Sequence, residues 1–186
     1  MVALIRDKKV QDRNQVAFLY PSIKRFHVTG MKAVLEARAD QPQALFGLGG
    51  VGKTQTAVEY AYRHKDDYNL VWWVRGEDSA TLAADFAALA VPLCIPAPAN
   101  VPLDELCAAV KRELERGGGW LLIFDNVPHP DAVRPYLPAG GGHIVVTSWD
   151  PNWRGDAEPL EVEEWPRKES VAFLVRRTGR KDDPDA

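Results

Sequence analysis

The run from Gly47 to Thr54, GLGGVGKT, constrains this chain more than any other feature of its sequence. It matches the pattern GxxxxGK[ST] through Gly47, Gly52, Lys53 and Thr54. Glycines in such a run let successive backbone N–H groups turn inward around an anion, where a Cβ would collide with phosphate. The lysine can then reach the β- and γ-phosphates, and the threonine hydroxyl can ligate Mg²⁺. The run therefore predicts a loop that binds Mg-ATP or Mg-ADP.

The residues around this run support the same prediction. A short strand precedes the loop and a helix follows it, so the positive end of the helix dipole faces the bound phosphate. The predicted nucleotide contacts within the loop and the first helical turn are Gly47, Gly49, Gly50, Val51, Gly52, Lys53, Thr54 and Gln55.

Short apolar runs alternate with longer amphipathic stretches from Met31 onward, which is typical of an α/β domain with a parallel sheet. The pattern predicts strands at Ala44–Phe46, Leu70–Val74, Trp120–Phe124 and His143–Thr147. It predicts helices at Met31–Ala39, Lys53–His64, Ser79–Ala90, Leu103–Arg116 and Arg167–Arg177. The phosphate loop thus has a strand before it and a helix after it, as its geometry requires.

An aspartate ends the apolar strand WLLIF and is the second candidate for metal binding. In phosphate-loop proteins such a carboxylate stands beside the metal, so we expect Asp125 to manage Mg²⁺ together with Thr54. Asn126 occupies the next position, where a second acid could activate water, and an amide cannot accept that proton. The predicted catalytic residues are Lys53, Asp125 and Asn126, and hydrolysis is expected to be slow.

Charge and hydropathy exclude several classes of partner. The net charge of −3 argues against a chain that grips nucleic acid as a whole. No apolar run approaches the roughly 20 residues that a membrane helix needs, so we expect a cytoplasmic protein with no membrane contact. Cys94 and Cys107 lack further Cys or His neighbours at ligand spacing and are expected to be reduced core residues.

The same patterns divide the chain into three parts. Residues 1–25 are rich in basic side chains and are expected to form an arm or linker. Residues 26–178 form the predicted nucleotide-binding domain. Residues 179–186 have almost no apolar content and are expected to be a disordered tail or an engineered end of the chain.

The combination of GLGGVGKT, LVWWV, LLIFDN and HIVVTS resembles the NB-ARC group of STAND signalling ATPases, especially bacterial members with tetratricopeptide repeats. The likeness covers roughly residues 26 to 177. It implies a P-loop NTPase three-layer sandwich with a mainly parallel central sheet of the ASCE type. In that order, the strand bearing Thr147 lies between the phosphate-loop strand and the Asp125 strand.

The resemblance also implies roles for residues outside the phosphate loop. Val28 matches a segment that contacts adenine through its backbone, and Thr147 matches a segment that senses the γ-phosphate. An arginine usually follows that threonine and serine, whereas this chain has Trp149, which cannot supply a charge-assisted contact. Arg134 or Arg154 could substitute, although exposed ion pairing is the other role open to both.

As a function, the resemblance implies a switch that holds ADP at rest, exchanges it for ATP and then self-associates. Sensor repeats and an effector domain would lie elsewhere in the full-length chain, and the lid and winged-helix motifs of the group do not occur before Ala186. The leading hypothesis is an ATP/ADP switch with slow Mg²⁺-dependent hydrolysis. The alternatives are a dedicated ATP hydrolase or phosphotransferase, or the ATPase core of a DNA-binding transcriptional regulator.

Overall fold

The computed structural model describes residues 31–37, 41–98, 100–164, 167, 168, 171 and 175. The predicted arm at 1–25, the predicted adenine contact at Val28 and the tail at 179–186 lie outside the described residues. Among the residues that are described, no helix has both the length and the apolar character needed to cross a bilayer.

A five-stranded sheet forms the centre of the described domain, and each pair of neighbouring strands runs parallel. The strands are β1 (Gln43–Phe46), β2 (Leu70–Arg75), β3 (Trp120–Val127), β4 (Gly142–Ser148) and β5 (Glu158–Glu161). Their spatial order is β2-β3-β4-β1-β5. The strand that carries Thr147 lies between those that carry the phosphate loop and Asp125, which confirms the expected order and the α/β fold.

Helices cover both faces of this sheet. They are α1 (31–37), α2 (Lys53–His64), α3 (Ser79–Ala87), α4 (Leu103–Arg116) and the short α5 (Pro130–Val133). The predicted helix from Ser79 to Ala90 tightens into a 3₁₀ turn at Ala88–Ala90. Residues 167, 168, 171 and 175 are helical, and the rest of the predicted helix Arg167–Arg177 lies outside the described residues.

Two apolar cores on opposite faces of the sheet give the expected three-layer arrangement. Alternate residues of β3 supply both cores: Leu121 and Ile123 pack with α1 and α2, whereas Leu122 and Phe124 pack with α3 and α4. This alternation follows from the two-residue period of a strand. The central strand is therefore buried on both faces, as its unbroken apolar sequence predicts.

The edge strand β5 is a feature that the sequence pattern did not predict. Its sequence, EPLE, has one aliphatic residue between acids, so it lacks the apolar run of the other strands. It pairs in parallel with β1, and Pro159 is compatible with a strand at the sheet edge, where one side of the backbone needs no ladder partner.

The expectation that both cysteines are core residues was wrong for Cys94. Cys107 is buried, but Cys94 is exposed. The 3₁₀ turn before it ends with a bond from the Ile95 N–H to the Ala90 carbonyl, 2.9 Å, and with Cys94 at a φ of 54°. This left-handed end of the turn places the thiol on the surface.

Candidate functional site

The carboxyl edge of the sheet gathers the residues that the sequence singled out. Because the strands are parallel, the ends of β1, β3 and β4 meet at one edge, which is where open α/β sheets bind ligands. The phosphate loop leaves β1 there. Asp125 lies near the end of β3, and Thr147 and Ser148 end β4.

Three glycines of the phosphate loop have a positive φ, and one of them is Gly50, at +79°. Gly47 has a φ of +145° and Gly52 a φ of +106°, which are values that side chains disfavour. A Cβ on Gly47 would lie 2.7 Å from the carbonyl oxygen of Val162. That contact is too short, so the loop approaches the chain after β5 as closely as glycine allows.

Helix α2 begins directly after the loop and presents its N-terminus without a side-chain cap. Gly52 is the N-cap residue, and the first turn contains no acidic side chain. The first N–H groups of a helix have no acceptor within the helix, and they carry the positive end of its dipole. This arrangement suits an anionic group such as phosphate.

Lys53 folds back over the phosphate loop. Its ammonium nitrogen Nζ donates to the carbonyl oxygens of Gly47, at 2.9 Å, and Leu48, at 2.8 Å. An ammonium group has three donors, so one remains for a phosphate oxygen. Burial lowers the pKa of Lys53, and attraction by the Asp125 carboxylate opposes that effect. The side chain therefore lies across the loop, with its ammonium group at the Gly47 and Leu48 carbonyls.

Thr54 and Asp125 meet directly, although they are far apart in the sequence. The Thr54 hydroxyl donates to Asp125 Oδ1 at 2.7 Å. Within the described residues, no cluster of three or more His, Cys, Asp or Glu side chains could hold a metal by itself. One hydroxyl and one carboxylate fit Mg²⁺, which takes hard oxygen ligands and completes its shell with water and substrate phosphates.

A bulge in β3 lies beside this pair. The register between β3 and β4 shifts between Phe124 and Val127, and Asn126 adopts a left-handed φ of 63°. The Asn126 side chain is exposed, while its N–H donates to the Thr147 hydroxyl at 2.8 Å. The bulge thus turns the side-chain amide of Asn126 outward from the sheet, while the backbone N–H of Asn126 points to Thr147.

The two hydroxyls that end β4 hold both sides of the bulge. Thr147 donates to Asp125 Oδ1 at 2.6 Å, and Ser148 donates to the Val127 carbonyl at 2.7 Å. Both side chains are buried. Sequence reasoning placed Ser148 beside Thr147 in the segment expected to sense the γ-phosphate, but it predicted no contact for Ser148 itself.

The remaining predicted loop residues lie beside the helix start. Val51 is half-buried and packs on the core that contains α2. Gln55 is half-buried, and its side-chain nitrogen Nε2 is buried without a hydrogen-bond partner among the described residues. Both positions are compatible with the predicted contacts.

Trp149 stands where an arginine was expected, and its surroundings differ from those of the two arginines that could substitute for it. Trp149 is 64% exposed. Arg134 makes a two-pronged ion pair with Asp156, at 2.8 and 3.0 Å, and these contacts raise the pKa of its guanidinium. Arg154 is exposed and lines a surface pocket of about 430 Å³. The ion-pairing role is therefore the one that Arg134 fills.

Comparison with known proteins gives one relative and a shared fold. No protein-family profile matches the chain. A nucleotide-binding leucine-rich repeat (NLR)-like protein of Hyaloscypha variabilis is 33% identical over 141 residues, which are 73% of this chain and 13% of that protein. The chain thus spans a small part of that relative.

The fold is shared with solved structures, among them Cdc6p. Cdc6p from Pyrobaculum aerophilum matches 95% of this chain and 54% of its own, with a TM-score of 0.62 and 17% identity. A STAND protein with a tetratricopeptide repeat sensor from Pyrococcus horikoshii matches 82% of this chain and 25% of its own, with a TM-score of 0.48 and 14% identity.

Proposed function

We propose that this chain, which carries an NB-ARC- and STAND-like P-loop ATPase domain, binds ATP or ADP with Mg²⁺ and acts as a molecular switch. The hydrogen bond between Thr54 and Asp125, 2.7 Å long, carries the proposal. It joins the predicted metal ligand of the phosphate loop to a carboxylate from another strand. A glycine turn with an incidental lysine would not require that meeting.

Each residue of the site has a role in this proposal. The loop and the first turn of α2 hold the phosphates through backbone N–H groups, and Lys53 adds a charge-assisted bond. Thr54 ligates Mg²⁺, and Asp125 holds its water shell. Bound Mg²⁺ neutralises charge on the β- and γ-phosphates. The Val28 backbone is proposed to contact adenine.

Slow hydrolysis is part of the proposal because the site lacks strong aids to catalysis. Asn126 cannot serve as a general base, and its side chain faces solvent. Arg134 already pairs with Asp156, and Trp149 carries no charge to stabilise a developing phosphate anion. A site that holds nucleotide well and turns it over slowly suits a signal with two states.

The partners of the switch follow from the NB-ARC-like domain. We propose that the ATP form self-associates and that sensor repeats and an effector domain belong to the full-length protein, which acts in the cytoplasm. The matched region spans 13% of the Hyaloscypha relative, so much of such a protein lies outside this domain.

Replacing Lys53 by alanine tests nucleotide binding. Wild-type protein should melt at a higher temperature with ADP or ATP, since a ligand at 100 times its Kd adds about 2.7 kcal/mol of stability. Lys53→Ala should weaken both nucleotides about 10- to 100-fold, because a hydrogen bond to a charged group contributes about 1.5–3 kcal/mol. Calorimetric titration measures both affinities.

Lys65→Ala is the matched control, because Lys65 follows the other end of the same helix. This variant should bind like wild type. Absence of any thermal shift in wild type, or equal affinities for Lys53→Ala and wild type, would contradict nucleotide binding. Phosphate release measured on the same samples tests the turnover rate, and rapid release would favour a dedicated hydrolase.

A further inference from the structure

We infer that Thr147 positions the Asp125 carboxylate and does not sense the γ-phosphate through its hydroxyl. This inference rests on the proposed function and concerns the same site. The Thr147 Oγ1 lies 2.6 Å from Asp125 Oδ1. An ionised carboxylate accepts hydrogen bonds and donates none, so the one proton of the Thr147 hydroxyl must point to Asp125.

The oxygen of the Thr147 hydroxyl also accepts a hydrogen bond. The backbone N–H of Asn126 donates to Thr147 Oγ1 at 2.8 Å. An ionised phosphate oxygen, like a carboxylate, accepts hydrogen bonds, so it gains nothing from a lone pair on Thr147. Thr147 could donate to phosphate only by releasing Asp125.

The bonds to Asp125 orient its carboxylate. Thr54 and Thr147 both donate to the same oxygen, Oδ1, from two different elements of the fold. These bonds hold Oδ1 between α2 and β4. A carboxylate fixed in this way would hold the water shell of a bound Mg²⁺ in one orientation. Groups that orient such a ligand typically change metal affinity 10- to 100-fold when they are removed.

Burial makes Thr147 suited to this role. Its side chain is 1% exposed, so the hydroxyl cannot swing out toward solvent. Ser148 beside it is fully buried and fixes the far side of the bulge through Val127. The end of β4 therefore sets the path of β3 on both sides of Asn126.

A magnesium titration with two nucleotides tests the inference. The affinities of ATP and ADP are measured by calorimetry, once with EDTA and once with excess Mg²⁺, for wild type, Thr147→Val, Thr147→Ser and Thr81→Val, a control in α3 outside the site. Thr147→Val keeps the shape of the side chain and removes its hydroxyl. The increase in nucleotide affinity on adding Mg²⁺ should therefore fall about 10-fold for both ATP and ADP, and the affinities in EDTA should not change. Thr147→Ser should restore the gain in affinity, and Thr81→Val, which removes a hydroxyl that bonds to Asp78, should keep it.

A double-mutant cycle with Asp125→Asn distinguishes positioning from a general loss of structure. If Thr147 acts through Asp125, adding Thr147→Val to Asp125→Asn should reduce the gain from Mg²⁺ no further. Additive losses would overturn the inference, as would equal losses in Thr147→Val and Thr81→Val. The cycle needs only that each variant binds ADP in EDTA, which shows that it is folded.

Sensing of the γ-phosphate would give a different result. Thr147→Val would then weaken ATP but not ADP, with EDTA as well as with Mg²⁺, and the inference would be wrong. Wild-type protein that binds neither nucleotide would instead remove the proposed function, and the inference with it. Binding by wild type together with unchanged affinities in Thr147→Val would overturn the inference alone.

Discussion

Two hydrogen-bonded clusters at opposite edges of the sheet link the same helix to the same strand. At the amino edge, Tyr60 of α2 bonds to Tyr68, at 2.8 Å, and Tyr68 bonds to His143 of β4, at 2.7 Å. At the carboxyl edge, Thr54 of α2 and Thr147 of β4 both bond to Asp125. Each cluster has a central residue that neither α2 nor β4 supplies.

The clusters differ in charge and in whether their polar groups are paired within the cluster. Burial raises the pKa of Tyr68 and lowers that of His143, so the amino-edge cluster stays neutral near pH 7 and its hydrogen bonds satisfy one another. The carboxyl-edge cluster contains an acceptor-only carboxylate between a glycine loop and a bulge. We propose that the amino-edge cluster stabilises the fold and that the carboxyl-edge cluster is arranged for a ligand.

The largest effect is expected from Gly47→Ala at the carboxyl edge. The new Cβ would meet the Val162 carbonyl at 2.7 Å with φ at +145°, and such backbone strain costs about 1–3 kcal/mol. Denaturant unfolding should show that loss, and calorimetry should show weaker ADP binding. Gly49→Ala has no atom within 4 Å of its Cβ, so the stability of its nucleotide-free form should stay near that of wild type. Equal stability of both variants would contradict this account of the loop.

Tyr68→Phe should change stability alone, without the loss of ADP binding that is expected of Gly47→Ala. It removes the central hydroxyl and leaves Tyr60 and His143 without their shared partner, which should cost about 1–3 kcal/mol. Tyr60→Phe removes one bond and should cost less. Urea unfolding measures both losses, and calorimetry should show unchanged ADP affinity. A change in ADP affinity would mean that the two edges are coupled and that the comparison drawn here is wrong.

The smallest effect is a pH dependence of stability from His143. Burial holds its pKa below the ordinary 6.5, although the nearby Glu36 opposes this shift. The unfolded chain therefore binds the proton more readily. The contribution to stability is present above pH 6.5 and is lost as the pH falls toward the folded-state pKa, with a slope of at most about 1.4 kcal/mol per pH unit.

Urea unfolding over that pH range measures the slope. His143→Gln should remove this part of it, and His129→Gln, at an exposed site, should keep it. If His143→Gln retains the wild-type slope, other groups cause the pH dependence and the amino-edge cluster is not held neutral by burial.

Sequence reasoning predicted the parts of the fold whose signals are local. Helix α2 matches its predicted bounds, Lys53–His64, and α4 matches Leu103–Arg116, because apolar spacing and flanking glycines mark both. The strand β5 was missed, since EPLE forms a strand only through pairing with β1. Trp149 is 64% exposed. The sequence does not predict this exposure, because Trp149 follows an apolar strand, and tryptophans next to apolar strands are often buried.

The candidate site divides in the same way. Gly47 to Thr54 determined the phosphate loop, because glycine conformation and the order of strand, loop and helix are properties of a short segment. Only the tertiary structure decided that the Thr54 and Thr147 hydroxyls both donate to one oxygen of Asp125. That meeting depends on the strand order, the parallel register of β3 and β4 and the bulge at Asn126. Those are set by packing between segments far apart in the chain, so the choice between a sensing and a positioning role for Thr147 depends on them.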